Sequence, residues 1–148
     1  MSEFQIVVCQ LGDESYGLDI GSVYEIIRFQ ESTAVPTAPA FVDGVINLRG
    51  RIIPVMDLSS RFGMARSETT KSTRIIVAGT SGMRVGLVVD AVTEVLMVSE
   101  ESVEPTPEVA SGFDSAYFRG IAKLGGQLVI LLDLGALFAE HGATAKAA

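Results

Sequence analysis

An internal repeat constrains this chain more than any other feature. Residues 41–62 read FVDGVINLRGRIIPVMDLSSRF, and residues 117–138 read YFRGIAKLGGQLVILLDLGALF. Aligned without a gap, Gly44 meets Gly120, Leu48 meets Leu124, Gly50 meets Gly126, Asp57 meets Asp133, Leu58 meets Leu134 and Phe62 meets Phe138. Upstream, YGLDIGSVYEII from Tyr16 matches VGLVVDAVTEVL from Val85, through Gly17/Gly86, Val23/Val92 and Glu25/Glu94. The longer spacer before Tyr117, which contains Pro105 and Pro107, absorbs the difference in spacing between the copies. A fixed-order repeat is the mark of one supersecondary unit built twice. Two like units pack with a groove between them, and a groove is where partners bind.

The repeated segments read as strands. Val and Ile dominate the apolar runs, and Gly-containing turns separate them at short intervals. Gln5–Leu11 and Ser15–Ile20 predict a hairpin around Gly12. Val23–Phe29 predicts a strand with Val23, Glu25 and Ile27 on one face and Tyr24, Ile26 and Arg28 on the other. Val45–Arg49 and Ile52–Met56 predict a second hairpin, with Pro54 at an edge or a bulge because it has no N–H to donate. Asp57 is placed to cap a helical turn at Leu58–Phe62, and Asp133 a final helix over 134–141. The second copy repeats this order, giving about ten strands in two sets of five. No segment offers the long helices that parallel crossovers need. The expected fold is all-β, two pseudo-repeated five-stranded barrels packed together. We place the first barrel over 15–72 and the second over 73–133, with the N-terminal strand shared. Residues 142–148 read as a flexible tail.

Composition removes several function classes. Hydrophobic residues make up 48% of 148, enough to bury a core over most of the length. The net charge of −7 argues against nucleic acid, whose binding draws on Lys and Arg. Nothing resembles a signal peptide or a membrane span, so a cytoplasmic location is expected. One cysteine (Cys9) and one histidine (His141) supply neither a disulfide nor a metal-ligand set. Cys9, in an apolar run, reads as a small buried hydrophobe. No phosphate-binding glycine loop is present, and a Ser-His-Asp triad lacks a suitable base. Asp57 and Asp133 are equivalent by repeat. Two carboxylates across a groove could do acid/base work, but helix capping explains their position directly.

Two residues stand out. Arg49 precedes the turn glycine, while its repeat partner is Gly125, so the fold alone does not call for a cation there. Glu25 sits in an otherwise apolar strand, where an unpaired buried carboxylate is costly. Glu25 is either on the wet face or paired, and an Arg49–Glu25 pair is one reading.

The stretch GVINLRG from Gly44 to Gly50, followed by Ile53-Pro54-Val55 and Asp57-Leu58, resembles the CheW family of chemotaxis coupling proteins. So do YGLDIGSVYEI, VGLVVDAVTEVL and YFRGIAKLGGQLVILLDL, in the family's order, across residues 4–139. The resemblance implies two SH3-like barrels and a scaffold without catalytic activity or cofactor. It implies coupling of chemoreceptors to a CheA-type histidine kinase through that kinase's regulatory domain. It places the cytoplasmic receptor tip against Ile20, Val23, Glu25, Gly44 and Arg49, with Val85, Gly86 and Val88 as additional groove residues. Kinase contacts are not assigned to residues. The expected protein is a monomer in isolation, recruited to receptor arrays and not inserted in the membrane. A chemosensory pathway for surface motility or gene control is an alternative setting, and a small-molecule sensor a more distant one.

Overall fold

A computed structural model describes residues 2–36, 42–62, 68–80, 82–105 and 117–137. His141, the tail 142–148 and the last part of the expected helix 134–141 lie outside the described residues. Eleven strands are formed: β1 (Glu3–Leu11), β2 (Glu14–Asp19), β3 (Val23–Arg28), β4 (Val42–Leu48), β5 (Arg51–Asp57), β6 (Arg74–Thr80), β7 (Met83–Val89), β8 (Ala91–Ser99), β9 (Val103–Glu104), β10 (Phe118–Leu124) and β11 (Gln127–Leu132). One helical turn, α1 (Leu58–Arg61), follows β5, and a second, α2 (134–137), follows β11. Both are capped as expected. The Asp57 carboxylate accepts from the N–H groups of Ser59 (2.9 Å) and Ser60 (3.3 Å), and Asp133 accepts from Ala136 (3.0 Å).

The first sheet runs β8-β1-β2-β11-β10-β9 and the second β3-β6-β7-β5-β4. The repeat makes β1 equivalent to β6, β2 to β7, β3 to β8, β4 to β10 and β5 to β11. With those equivalences the two five-strand orders are the same, but the copies are interleaved. Each sheet takes its central hairpin from one copy and its three flanking strands from the other. The division into barrels over 15–72 and 73–133 is therefore corrected. The first sheet holds β1, β2 and β8 to β11; the second holds β3 to β7. The physical reason is the crossing after β2. There the 3-10 turn Ile20–Ser22, capped by the Asp19 carboxylate, carries the chain into the other sheet.

Both sheets curl into barrels. β8 and β9 lie at opposite edges of the first sheet, yet only the turn Glu100–Ser102 joins them. In the second sheet the chain after β3 returns so that Thr33 and Val45 exchange backbone hydrogen bonds of 2.8 and 2.9 Å. The bulges repeat too, before Gly44 in β4 and before Gly120 in β10. Both glycines have φ of +159°, and a Cβ at Gly44 would collide with the Thr33 carbonyl at the closure.

Pro54 lies in an interior strand, not at an edge. The parallel ladder from β5 to β7 begins at Val55, and Val45, opposite Pro54, spends its own N–H and C=O on Thr33. No ladder bond is asked of Pro54, so its missing N–H is tolerated.

Three cores result. Ile6, Val8, Val98, Ala122, Val129 and Leu131 fill the first barrel, and Ile46, Ile53, Val55, Ile75 and Val77 the second. Between the sheets lies the largest, with Val7, Cys9 and Leu18 from one side and Met56, Ile76, Ala78 and Leu87 from the other. β1 and β6 are thus buried on both faces, which explains their continuous apolar runs. Phe62, after α1, seals this layer, stacking on Tyr16 at 5.5 Å and meeting Phe118 edge-on at 5.5 Å.

Cys9 is fully buried in the middle layer, and burial, with the Asp90 charge, pushes its thiol up to about 12. The unfolded thiol ionises near 9.0, so the stability it confers is complete below that pH and is lost as pH rises toward 12. We expect stability to fall by roughly 1.4 kcal/mol per pH unit in that window from this group alone. Urea titrations at pH 8.5, 9.5 and 10.5 should show a shallower decline in Cys9→Ala. Gly44→Ala should cost about 2 kcal/mol or more, through both strain and the clash at the barrel closure. Gly12→Ala, at φ +61° but in open space, should cost only about 1 kcal/mol. Equal losses in urea unfolding would contradict this assignment.

Candidate docking surface

Arg49 and Gly50 form the two-residue loop between β4 and β5, with Leu48 opposite Arg51. Their φ values are +51° and +84°. Loops with both residues left-handed match the strand twist and favour glycine or asparagine. The equivalent loop uses Gly125 and Gly126 at +55° and +83°. Arg49 is the only non-glycine at positive φ among the described residues, a conformation that costs about 1 kcal/mol. The Asn47 side-chain oxygen supports the loop by accepting the Gly50 N–H at 2.8 Å.

The Arg49 guanidinium donates to the Glu25 carboxylate. β3 and β4 are the two outer strands of their sheet, so this ion pair ties the hairpin tip to the far edge across the barrel mouth. Glu25 raises the Arg49 pKa through the hydrogen bond first and its charge second. The Arg49 side chain is 69% exposed, so solvent screens the pair, and its main effect is to aim the guanidinium. The first barrel has no counterpart. Gly125 gives Glu94 nothing to pair with, and Lys123 instead holds Glu104 at 2.9 Å.

The other expected positions divide. Ile20 opens the crossing turn and is exposed; Val23 follows that turn, half-buried against the middle core. Gly44 is buried and acts through its backbone at the barrel closure. Val85 and Gly86 are buried and do not extend a surface, whereas half-buried Val88 lines the depression beside Asp57. Val85 is buried in the middle core, Val88 packs against the core of the second barrel, and Gly86 is held against Ile75 and Val55. The reason is that β7 is an interior strand covered on both faces.

Sequence reasoning missed the exposed apolar residues that fringe the middle core. Ile26 lies opposite buried Ile76 on the outer face of β3, and Ile52 continues the outer face that carries Met56 on β5. Val95 and Met97 do the same for β8, and Leu128 for β11. The exposures of Ile52 (61%) and Leu128 (60%) match because the two positions are repeat-equivalent. Ile26 and Val95 form a second equivalent pair. That recurrence of an apolar residue on the outer face was the available signal.

Asp57 and Asp133 are not brought together in one pocket. Asp57 lines a depression of about 290 Å³ with Glu31, Asp43, Glu68 and Asp90, whereas Asp133 lines another beside Asp19 and Arg119. No group of three or more His, Cys, Asp or Glu among the described residues is arranged to hold a metal.

A paired barrel with an exposed apolar fringe and one charged clasp can be compared with known proteins. The family model described as "CheW-like domain" matches residues 5–141. The "Chemotaxis protein CheW" of Rhizobium meliloti is 40% identical over 134 residues, 90% of this chain and 86% of the relative. That of Treponema pallidum is 34% identical over 142 residues, 93% and 84% of the two chains. Among solved structures, "scaffolding protein TtCheW from Thermoanaerobacter tengcongensis" superimposes with a TM-score of 0.83 at 43% identity, covering 90% of this chain and 86% of that one. The motif blocks, the interleaved double barrel and these matches agree, and the chain belongs to the CheW-like domain family.

Proposed function

We propose that this chain is an adaptor in chemotaxis signalling that couples chemoreceptors to a CheA-type histidine kinase. The observation that carries this reading is the pair of repeat-equivalent apolar fringes, one on each barrel, that differ in charge. Ile26 and Ile52 are joined by the Arg49–Glu25 clasp, while Val95, Met97 and Leu128 are accompanied by an unpaired Glu94. An adaptor needs two docking faces that do not compete, and a repeat with one altered copy supplies them.

In this reading the receptor tip, a helical hairpin, lies along Ile20, Val23 and Ile26, and Arg49 fixes its orientation. Gly44 contributes by letting the barrel close beneath that face. The fringe of the first barrel is left for the kinase regulatory domain. Among the described residues no helix is long and apolar enough to cross a membrane. Placement at receptor arrays then comes from the receptors themselves, through modest contacts multiplied in an array.

Arg49→Gly tests the reading because it copies the loop of the second repeat. Its melting temperature should stay within a few degrees of wild type, as expected for a change of no more than about 1 kcal/mol. Receptor-dependent CheA autophosphorylation in membranes should fall roughly tenfold or more, on the scale of an interface anchor. Full coupling by the folded variant would remove Arg49 from the docking face. A wild-type protein that failed to activate a cognate kinase would remove the adaptor reading itself.

A further inference from the structure

We propose that Arg28, Lys71 and Arg74 form a carboxylate-binding site on the second barrel, filled by a protein segment that carries clustered acidic residues. This site uses cations other than Arg49 but shares the Val23–Ile26 strip with the docking face proposed above, and its test with synthetic peptides stands whichever protein supplies the segment.

Arg28 at the end of β3 lies directly opposite Arg74 at the start of β6. Directly opposed residues in an antiparallel pair point to the same face, and like charges there repel. Lys71, in the turn before β6, joins them around an open depression of about 440 Å³. In a chain of net charge −7, carboxylates are plentiful, yet the ion pairs among the described residues involve other cations: Arg49, Arg119 and Lys123. Arg74 donates to the carbonyl oxygens of Lys71 (2.8 Å) and Thr73 (2.9 Å), which fixes the turn and leaves its charge uncompensated. The turn is braced further. Thr70 N–H donates to the Thr73 hydroxyl at 2.9 Å, and Ser72 N–H to the Thr70 hydroxyl at 3.0 Å. Arg74 is thus fixed on a braced turn, with Arg28 and Lys71 beside it, and no ion pair among the described residues engages the three. Five carboxylates gather in the neighbouring depression, beyond Phe29, Thr69 and Thr73 that line both.

The surroundings choose the occupant. A bulge between Val23 and Glu25 turns Val23 to the face of Ile26 and Arg28, against the simple alternation expected from the sequence, so an apolar strip leads into the cations. A free phosphate would use the charges and ignore the strip. An amphipathic peptide with carboxylates at one end would use both, and the guanidinium fork suits a carboxylate. An acidic segment also tolerates the negative body of the protein only where such a patch is offered.

The test uses the full chain and synthetic amphipathic helices with a leucine face and three terminal glutamates, or three glutamines in their place. Binding is followed by arginine side-chain N–H signals in NMR at about 50 mM salt, and inorganic phosphate serves as competitor. The glutamate peptide should bind at least about tenfold more tightly than the glutamine peptide, and R28E should remove that preference. R28E should also raise the melting temperature of the free protein, because it turns a repulsive cross-strand pair into an attractive one. A merely structural arginine would give the opposite sign. R28Q, which only removes the repulsion, keeps the comparison readable should R28E fold poorly. Equal binding of both peptides would overturn the proposal. So would a preference that survives R28E and R28Q, or displacement of the glutamate peptide by millimolar phosphate.

Discussion

Neither barrel of this protein can be completed by its own half of the chain. β1 and β2 pair with β8 and β11 of the second half, and β6 and β7 pair with β3 and β5 of the first. The layer between the sheets is built from the same two exchanged hairpins, since Val7, Cys9 and Leu18 face Ile76, Ala78 and Leu87 there. Pulling the two halves of the chain apart would therefore open the largest core and unpair both sheets at once. That couples the halves into one cooperative unit, in which neither barrel is expected to fold alone. The exposed apolar fringe is a by-product of this arrangement. Sheet faces that pack on each other must end somewhere, and at β3 and β8 they end with apolar residues still in sequence register.

Much of this was legible in the chain. The strands, the hairpin turns, both aspartate caps and the burial of Cys9 follow from local chemistry, which acts over a few residues. The Arg49–Glu25 pair could be named because a carboxylate in an apolar strand and a cation at a glycine position each need an explanation. What could not be read was the exchange. An alignment of the two copies gives equivalence, but pairing β1 with β8 or with β3 would satisfy the same alternation. The short crossing at Ile20–Ser22 decides it, and a three-residue turn carries no signal about the sheet it enters. The same gap misplaced Val85, Gly86 and Val88. They entered only through the family resemblance, which matches motif blocks and not strand positions, whereas β7 lies between β6 and β5 with a core on each side. Pro54 was read as lying at an edge or a bulge; its strand is interior, the register of the partner strand shifts just beside it between Val42 and Gly44, and the ladder to β7 starts one residue later.

The repeat also offers an internal control on what is structural and what is not. Wherever both copies keep a feature, the fold accounts for it. The bulge glycines 44 and 120 and the caps 57 and 133 are of this kind. Wherever the copies differ, the fold has shown that it can do without the feature. Gly125 demonstrates that the loop at Arg49 needs no side chain, so an arginine held at φ +51° is a departure the fold did not require. Strain that the scaffold does not need is most economically explained by a partner that does.

The contrast applies equally to charge. Arg28 and Arg74 have as repeat counterparts Met97 and Gln5, which face each other across β8 and β1 without repulsion. One barrel thus presents an apolar and neutral edge where the other presents paired cations. Two faces that began as copies have been driven apart in charge while keeping the same backbone. This is the expected outcome when each must reject the other's partner: shared shape supplies affinity, and an unlike charge supplies the discrimination.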